Sequence, residues 1–243
     1  MTGGTGKDGA QSMKKSSASF VKINCMLHVL SQEPSIVNEF LAELRDVNVQ
    51  QDRARFRRNL ERIGMAMGLI LSRELNFSDH SVSTPLGIAK TQRLTEQPVL
   101  ATILRAGLPL HYGLASVFDR ADQAFISACR KYREGDHDSF YIGIDAVSSP
   151  RLDNRTLILA DPMLATGASL VHVLDALVDS HGRPSAIHVV AAIASEEGVA
   201  AVQAALPADA HIWIGDVDRE LSGQGYIIPG LGDAGDLAFG SKE

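Results

Sequence analysis

The sequence predicts an α/β fold, a mostly parallel sheet flanked by helices. Three observations lead to it. From Val99 onward, short apolar runs rich in β-branched residues alternate with stretches of helical periodicity. The runs are continuously apolar, as strands covered on both faces are. Small, hydroxyl-bearing or charged segments follow several of them, and such sheets hold ligands at the carboxyl ends of their strands.

The elements follow in chain order. Residues 1–19 are rich in Gly, Ser, Lys and Thr and are expected to be disordered, leaving 20–243 as a single domain. Phe20 to Val29 reads as a short β-like piece. Pro34-Ser35 then opens a helix, with Ser35 as N-cap and Ile36, Val37, Phe40, Leu41, Leu44 and Val47 on one face. A second helix is expected from about Asp52 to Leu75, with Phe56, Leu60, Ile63, Met67, Ile70 and Leu71 turned inward. Thr84-Pro85-Leu86 marks a turn. Val99–Leu104 reads as a strand, Leu108–Phe118 as a helix, Ala124–Ala128 as a strand and Thr156–Ala160 as another. A helix from about Gly167 to Ser180, a strand Ala186–Ile193, a helix Glu196–Ala205 and a last strand His211–Val217 complete the alternation.

Composition narrows the function classes. The 243 residues carry 23 Lys+Arg against 29 Asp+Glu, a formal net charge of -6 that argues against a coat for nucleic acid or anionic membrane. No apolar run reaches the ~18 residues that a membrane span needs. The N-terminus lacks the apolar core of a signal peptide. Cys25 and Cys129 stand far apart, outside any metal or redox spacing, and read as free thiols in a reducing, cytoplasmic setting. Gly3 to Asp8 is only superficially like a phosphate loop, because it lacks the full spacing and a preceding strand. Arg53, Arg55, Arg57, Arg58 and Arg62 share the outer face of the second helix. A solvated or subunit-contacting face is the commoner use of such a run, and RNA binding is the alternative.

The segment after the Thr156 strand carries the most chemistry. It reads Asp161-Pro162-Met163-Leu164-Ala165-Thr166-Gly167-Ala168-Ser169 and runs into a helix. A carboxylate at a strand end can accept hydrogen bonds from two adjacent ribose hydroxyls. The hydroxyls and backbone N–H groups of the turn, with the helix N-terminus behind them, suit a phosphate. After the Val99 strand comes Ile103-Leu104-Arg105-Ala106-Gly107, where Arg105 offers a permanently charged fork to phosphate oxygens. The stretch from Gly225 to Asp236 is too rich in Gly and Pro to be helix or central strand, so its main-chain groups are free for other partners.

These residues resemble a known family. Asp161 through Ser169 resembles the phosphoribosyl-diphosphate (PRPP) motif of the type I phosphoribosyltransferases. The single acid, Asp161 after Ala160, is similar to the uracil phosphoribosyltransferase family in particular. Gly225-Tyr226-Ile227-Ile228-Pro229-Gly230-Leu231-Gly232-Asp233-Ala234-Gly235-Asp236, ending in Phe239-Gly240, is similar to that family's C-terminal uracil-binding segment nearly letter for letter. Tyr132-Arg133 resembles the start of its mobile hairpin. The continuation Glu134-Gly135-Asp136-His137-Asp138 departs from the family pattern, as does Pro109 to Gly113.

The resemblance implies a phosphoribosyltransferase type I fold with a C-terminal hood over the site. It implies transfer of phosphoribosyl from PRPP to uracil, giving UMP and diphosphate. Catalysis would fall to Arg105, Asp161 and Asp233. PRPP would be bound by Arg105, Arg133, Asp161, Pro162, Met163, Leu164, Ala165, Thr166, Gly167, Ala168, Ser169 and Asp233. Uracil would meet Ile227, Gly232, Asp233 and Ala234, largely through main chain. Mg2+ would arrive with PRPP rather than on a protein metal site, and His137 between its two Asp neighbours is read as solvated. Asp216 and Asp218, at the end of the last strand, face the site region, and Asp218 and Leu221, which match a family segment there, would support the loop. The resemblance further implies a homodimer or homotetramer and a GTP effector. Another pyrimidine or an analogue base, or a nucleotide-sensing regulator on the same fold, remain the alternatives.

Overall fold

The computed structural model describes residues 25–133 and 136–241, together with Met1. β1 (Met26–Val29) leads through a single 3-10 turn into α1 (Ile36–Arg45) and α2 (Arg53–Leu71). Ser35 accepts from the backbone N–H of Val37 and forms a capping box with Asn38. Asp52 caps α2 by accepting from Ala54 and Arg55. The second helix ends four residues short of the predicted Leu75, its last turn tightened into a 3-10 segment at Ser72–Glu74. The strand predicted from Phe20 is described only from Met26, and residues 20–24 lie outside the described residues.

β2 (Phe77–Thr84) and β3 (Gly87–Leu94) form an antiparallel hairpin around the predicted Thr84-Pro85-Leu86 turn. Their polar, weakly patterned sequence hid both strands. β4 (Val99–Leu104), α3 (Leu108–Val117) and β5 (Asp122–Arg133) follow. β5 runs well past the predicted Ala128 and pairs antiparallel with β6 (Asp136–Ser148), which the sequence reading missed. Then come β7 (Thr156–Ala160), the two-residue β8 (Met163–Leu164), α4 (Ala168–His181), β9 (Ala186–Ser195), α5 (Glu196–Ala205) and β10 (His211–Asp218). The short pair β11 (Glu220–Leu221) and β12 (Ile227–Ile228) leads to α6 (Ala234–Phe239).

Among the described residues the main sheet has the order β1-β10-β9-β7-β4-β5-β6, with β8 also paired to β9. Every pairing in it is parallel except β5 with β6. The predicted α/β class and mostly parallel sheet are therefore what forms.

Alternate side chains of each strand go to opposite layers. Val99, Ala101, Leu157 and Leu159 pack with Leu170, Val173, Leu177 and Val202 of α4 and α5. Leu100, Ile158, Ala160 and Val190 pack with Leu44, Phe56, Leu60 and Leu114 of the first three helices. Two apolar layers explain why the strand sequences are apolar at every position. They also leave the carboxyl ends of β4, β7 and β9 pointing to one edge, where the loops gather.

The opposite edge holds an aromatic cluster. His188 on β9 and His211 on β10 are register partners, as are His28 on β1 and Trp213 on β10. The His28 ring stacks on Trp213 with centroids 3.8 Å apart, and its Nε2 is 3.1 Å from Nδ1 of His211. Trp213 Nε1–H donates to Nδ1 of His188 at 3.2 Å. Burial, then the neighbouring His211 and His28, push His188 down to about 4 from an ordinary 6.5. Burial and His211 lower His28 too, against the opposing pull of Glu74.

The unfolded chain thus takes up this proton near pH 6.5 and the folded chain only near 4. Stability from His188 is complete above 6.5 and is lost as the pH falls toward 4. The shift corresponds to roughly 3 kcal/mol at full expression. Thermal melts of His188→Gln should show a weaker loss of Tm between pH 7 and 5 than the parent chain shows. Identical pH slopes in the two proteins would remove the cluster from the acid response.

Candidate active site

The carboxyl edge of the sheet opens into a cavity of about 490 Å³. Its floor is the end of β4 with Arg105 and Ala106, and the turn after β7. Its roof is Tyr226 and Gly232 to Gly235 of the C-terminal segment. Arg105, Asp161 and Asp233 are the charged side chains on its wall among the described residues. Each comes from a different strand end or loop, so the fold alone brings them together.

Asp161 follows β7, and its backbone N–H is held by Val190 O at 3.0 Å. Its Oδ1 accepts only a long bond, 3.5 Å, from the N–H of Met163. Burial dominates that weak bond and pushes the carboxyl up to about 7 from 3.8. It is a carboxylate held ready with its hydrogen-bonding capacity largely unused. Pro162, Met163, Leu164, Ala165, Thr166, Gly167 and Ser169 also line the cavity, and Ala168 does not. Leu164 is in the core, so only its main chain can serve a ligand. Gly167, not Thr166 or Ser169, stands at the N-cap of α4, with a left-handed φ of 73°. That conformation suits glycine, and it starts α4 at the cavity wall, which Gly167 and Ser169 line. The Thr166 hydroxyl accepts from Ala168 N–H at 3.4 Å.

Arg105 is tethered from above. Its Nη2 donates to Gly240 O at 3.1 Å and lies 3.4 Å from Asp236 Oδ1. Its buried Nε has no partner among the described residues. A buried guanidinium N–H without an acceptor is costly. The Leu104–Arg105 and Ile228–Pro229 peptides are both cis. Asp233 caps α6 by accepting from Asp236 N–H at 2.9 Å, which fixes its carboxylate at the cavity edge.

Of the residues predicted to meet a base, Gly232, Asp233 and Ala234 line the cavity. Ile227 is buried beneath it, in the core shared with the first three helices. Tyr226 lines the cavity and was not singled out among the site residues, although its place in the Gly/Pro segment was visible. Arg133 stands at the far end of β5, and its side chain lies outside the described residues, as do those of Cys129 and His137. Residues 3–8 lie outside them too. Among the described residues no group of three His, Cys, Asp or Glu could hold a metal ion.

The arginine face of α2 has local partners. Arg55 bonds Glu43, Arg58 bonds Glu61, and Arg62 lies over the Phe40 ring. Arg57 donates to Ala238 O at 2.6 Å, under the hood. These contacts give Arg55, Arg57, Arg58 and Arg62 intramolecular partners.

The whole chain was compared with known proteins. The family model for uracil phosphoribosyltransferase matches residues 30–241. The chain belongs to the uracil phosphoribosyltransferase family. A protein named uracil phosphoribosyltransferase from Porphyromonas gingivalis is 45% identical over 213 residues, covering 88% of this chain and 97% of its own. One from Thermococcus gammatolerans, of the same name, is 39% identical, covering 86% and 92%. Among solved structures, the AQ2163 protein from Aquifex aeolicus superposes with a TM-score of 0.77 at 28% identity, covering 88% and 98%. The family's type I phosphoribosyltransferase fold is the mostly parallel sheet described above.

Asp161 has opposite effects on stability and on binding. Its unfolded form ionises near 3.8 and its folded form near 7, so the chain loses stability as pH rises between those values. This slope opposes that of His188 over much of the same range. Asp161→Asn should raise Tm at pH 8 by several degrees, for a gain of about 2 kcal/mol after solvent screening. It should also uncover the acid sensitivity from His188. A lower Tm at pH 8 in that variant would contradict the unsatisfied-carboxylate account.

Proposed function

We propose that this chain transfers the phosphoribosyl group of PRPP to uracil, giving UMP and diphosphate, in pyrimidine salvage. The observation that carries the reading is one cavity joining a strand-end carboxylate, a helix N-terminus, an arginine with an unpaired N–H, and a Gly/Pro-rich roof. A sugar, its phosphate, a diphosphate and a planar base each find a matching surface there.

Asp161 accepts from the two ribose hydroxyls, whose protons replace the hydrogen bonds the carboxylate lacks. Main-chain N–H groups between Met163 and Ser169, with the N-terminus of α4, hold the 5′-phosphate. Arg105, with Arg133, takes the diphosphate. The base lies under Tyr226, and main-chain groups of Gly232 to Ala234 read its edge. Uracil shows two acceptors flanking the N3–H donor. Cytosine changes that pattern and would leave buried groups unpaired.

The bond from the anomeric carbon to diphosphate breaks and the bond to N1 of uracil forms, through an oxocarbenium-like state. Ionised Asp161 below the ribose stabilises the developing positive charge. No His or Glu lines the cavity among the described residues, so the N1 proton is assigned to no side chain. Positioning and electrostatics carry the rate.

The wall has two carboxylates against one guanidinium among the described residues, an unwelcoming field for a diphosphate. It also lacks a closed metal cage. That donor set fits a magnesium ion that brings its own phosphate ligands, with Asp233 and Asp161 as the carboxylates available to it or its waters. When bound, the ion would neutralise the leaving diphosphate.

A homodimer or homotetramer belongs to the same proposal, and β2 and β3 support it. A two-stranded hairpin is marginal alone. This one exposes Leu86 at its tip fully, and Ile88 at 75% of its surface. A second copy is the partner that would cover it. Sedimentation velocity of a Leu86→Asp, Ile88→Asp variant should show a smaller species than the parent chain, and equal coefficients would count against the arm. The GTP effector rests on the resemblance alone. Cytoplasmic placement is supported by the free, buried Cys25, and no helix of the described residues is long and apolar enough to cross a membrane.

Incubation with labelled uracil, PRPP and Mg2+ should yield UMP, and the same tube with cytosine should yield none. Arg105→Ala should lower kcat/KM by about 100-fold or more, the scale of a lost charge-assisted contact. Because Asp161 must be ionised to accept both hydroxyls, kcat/KM for PRPP should fall as the pH drops below about 7. No UMP from folded protein, or full activity in Arg105→Ala, would defeat the reading.

A further inference from the structure

Arg45 closes α1, outside the cavity, and no motif singles it out. Its side chain is nonetheless four-fifths buried. Nη1 donates to Gly230 O at 3.0 Å and to Asp218 Oδ2 at 2.8 Å. Nη2 donates to Asp218 Oδ1 at 3.0 Å and to Asp216 Oδ2 at 2.8 Å. Asp218 Oδ2 in turn accepts from Gly230 N–H at 3.0 Å. Both backbone groups of Gly230 are thus held by one ion pair, the N–H by the carboxylate and the C=O by the guanidinium. Gly230 has a left-handed φ of 59°, and an added Cβ would run into Ile227 O. The grip therefore falls on a left-handed bend between Tyr226 and Gly232, both of which line the cavity. Ser31 donates to Asp216 Oδ1 at 2.7 Å and steadies the outer carboxylate, which touches no part of the loop.

We infer that Arg45, through its shared grip with Asp218 on Gly230, is the positioning residue that sets the geometry of the base-reading loop. The inference rests on the uracil reading of that loop, and it assigns Arg45 an effect on the base and not on PRPP. A bidentate guanidinium spans two carboxylates and a carbonyl in one plane. A lysine ammonium keeps the charge but cannot span all three.

Two measurements on the full chain test it. Hydrogen exchange, which needs no activity, should show the Gly230 amide exchanging at least about tenfold faster in Arg45→Lys, with β9 and α4 unchanged. Kinetics should show KM for uracil raised about tenfold, with KM for PRPP within twofold and kcat within threefold. Asp216→Asn, which leaves the loop contacts in place, should change neither KM. If Arg45→Lys does not fold, Asp218→Asn serves instead. It keeps an oxygen for the Gly230 N–H and weakens the hold on the guanidinium, and it should show the same split.

Equal rises in both KM values, no rise in either, or unchanged exchange at Gly230 would overturn the assignment. If the parent chain makes no UMP, the proposed function fails. The exchange result then decides by itself whether the clamp exists.

Discussion

The site depends on three arginines that hold the C-terminal segment, whose regular structure is limited to the two-residue β12 and the six-residue α6. Arg45, Arg57 and Arg105 come from α1, α2 and the loop after β4. They donate to the carbonyls of Gly230, Ala238 and Gly240. Gly230 and Gly240 lie outside β12 and α6, and Ala238 is in the last turn of α6, so their carbonyls lack ladder or helix partners, and burying them unpaired would be costly. The guanidinium fork satisfies them at a distance, which lets a loop sit over a sheet edge without joining the sheet. The same arrangement links the hood to the helical layer. Whatever shifts α1 or α2 relative to the sheet also shifts the roof of the cavity.

Arg105 has two roles in this scheme. Its Nη2 ties down the end of the hood, while its buried Nε has no acceptor among the described residues. Arg105 therefore both lines the cavity and holds the end of its roof, so one side chain links the two. Asp161 is complementary. Its carboxyl is pushed up to about 7 because the fold encloses it and offers it only one long bond. At the opposite edge of the sheet, His188 is pushed down to about 4 by burial and its histidine neighbours. The two groups tilt stability in opposite directions over overlapping ranges of pH.

Much of this was legible in the sequence because the relevant signals are local. Continuous apolar runs marked β4, β7, β9 and β10, and the turns after them supplied Arg105 and the Asp161 to Ser169 cradle. The Gly/Pro segment announced a loop with free main-chain groups. β2 and β3 escaped notice because their sequences are mostly polar with no clear period, and β6 because its apolar residues from Phe140 to Val147 are broken by Gly143 and Asp145 and follow a charged start. The side chain of Ile227, the first residue of β12, goes to the core, which leaves only its main chain for the base role expected of it. Arg45 was invisible for a different reason. Its partners lie more than 170 residues away, and only the register of β10 beside α1 brings them within reach.

A crystal structure of the chain with UMP and diphosphate tests the central claim most directly. The account predicts the O2, N3–H and O4 edge of uracil within hydrogen-bond distance of main-chain groups between Ile227 and Ala234, with Asp161 on the ribose hydroxyls. A base edge met chiefly by side chains, or a nucleotide seated outside this cavity, would contradict it.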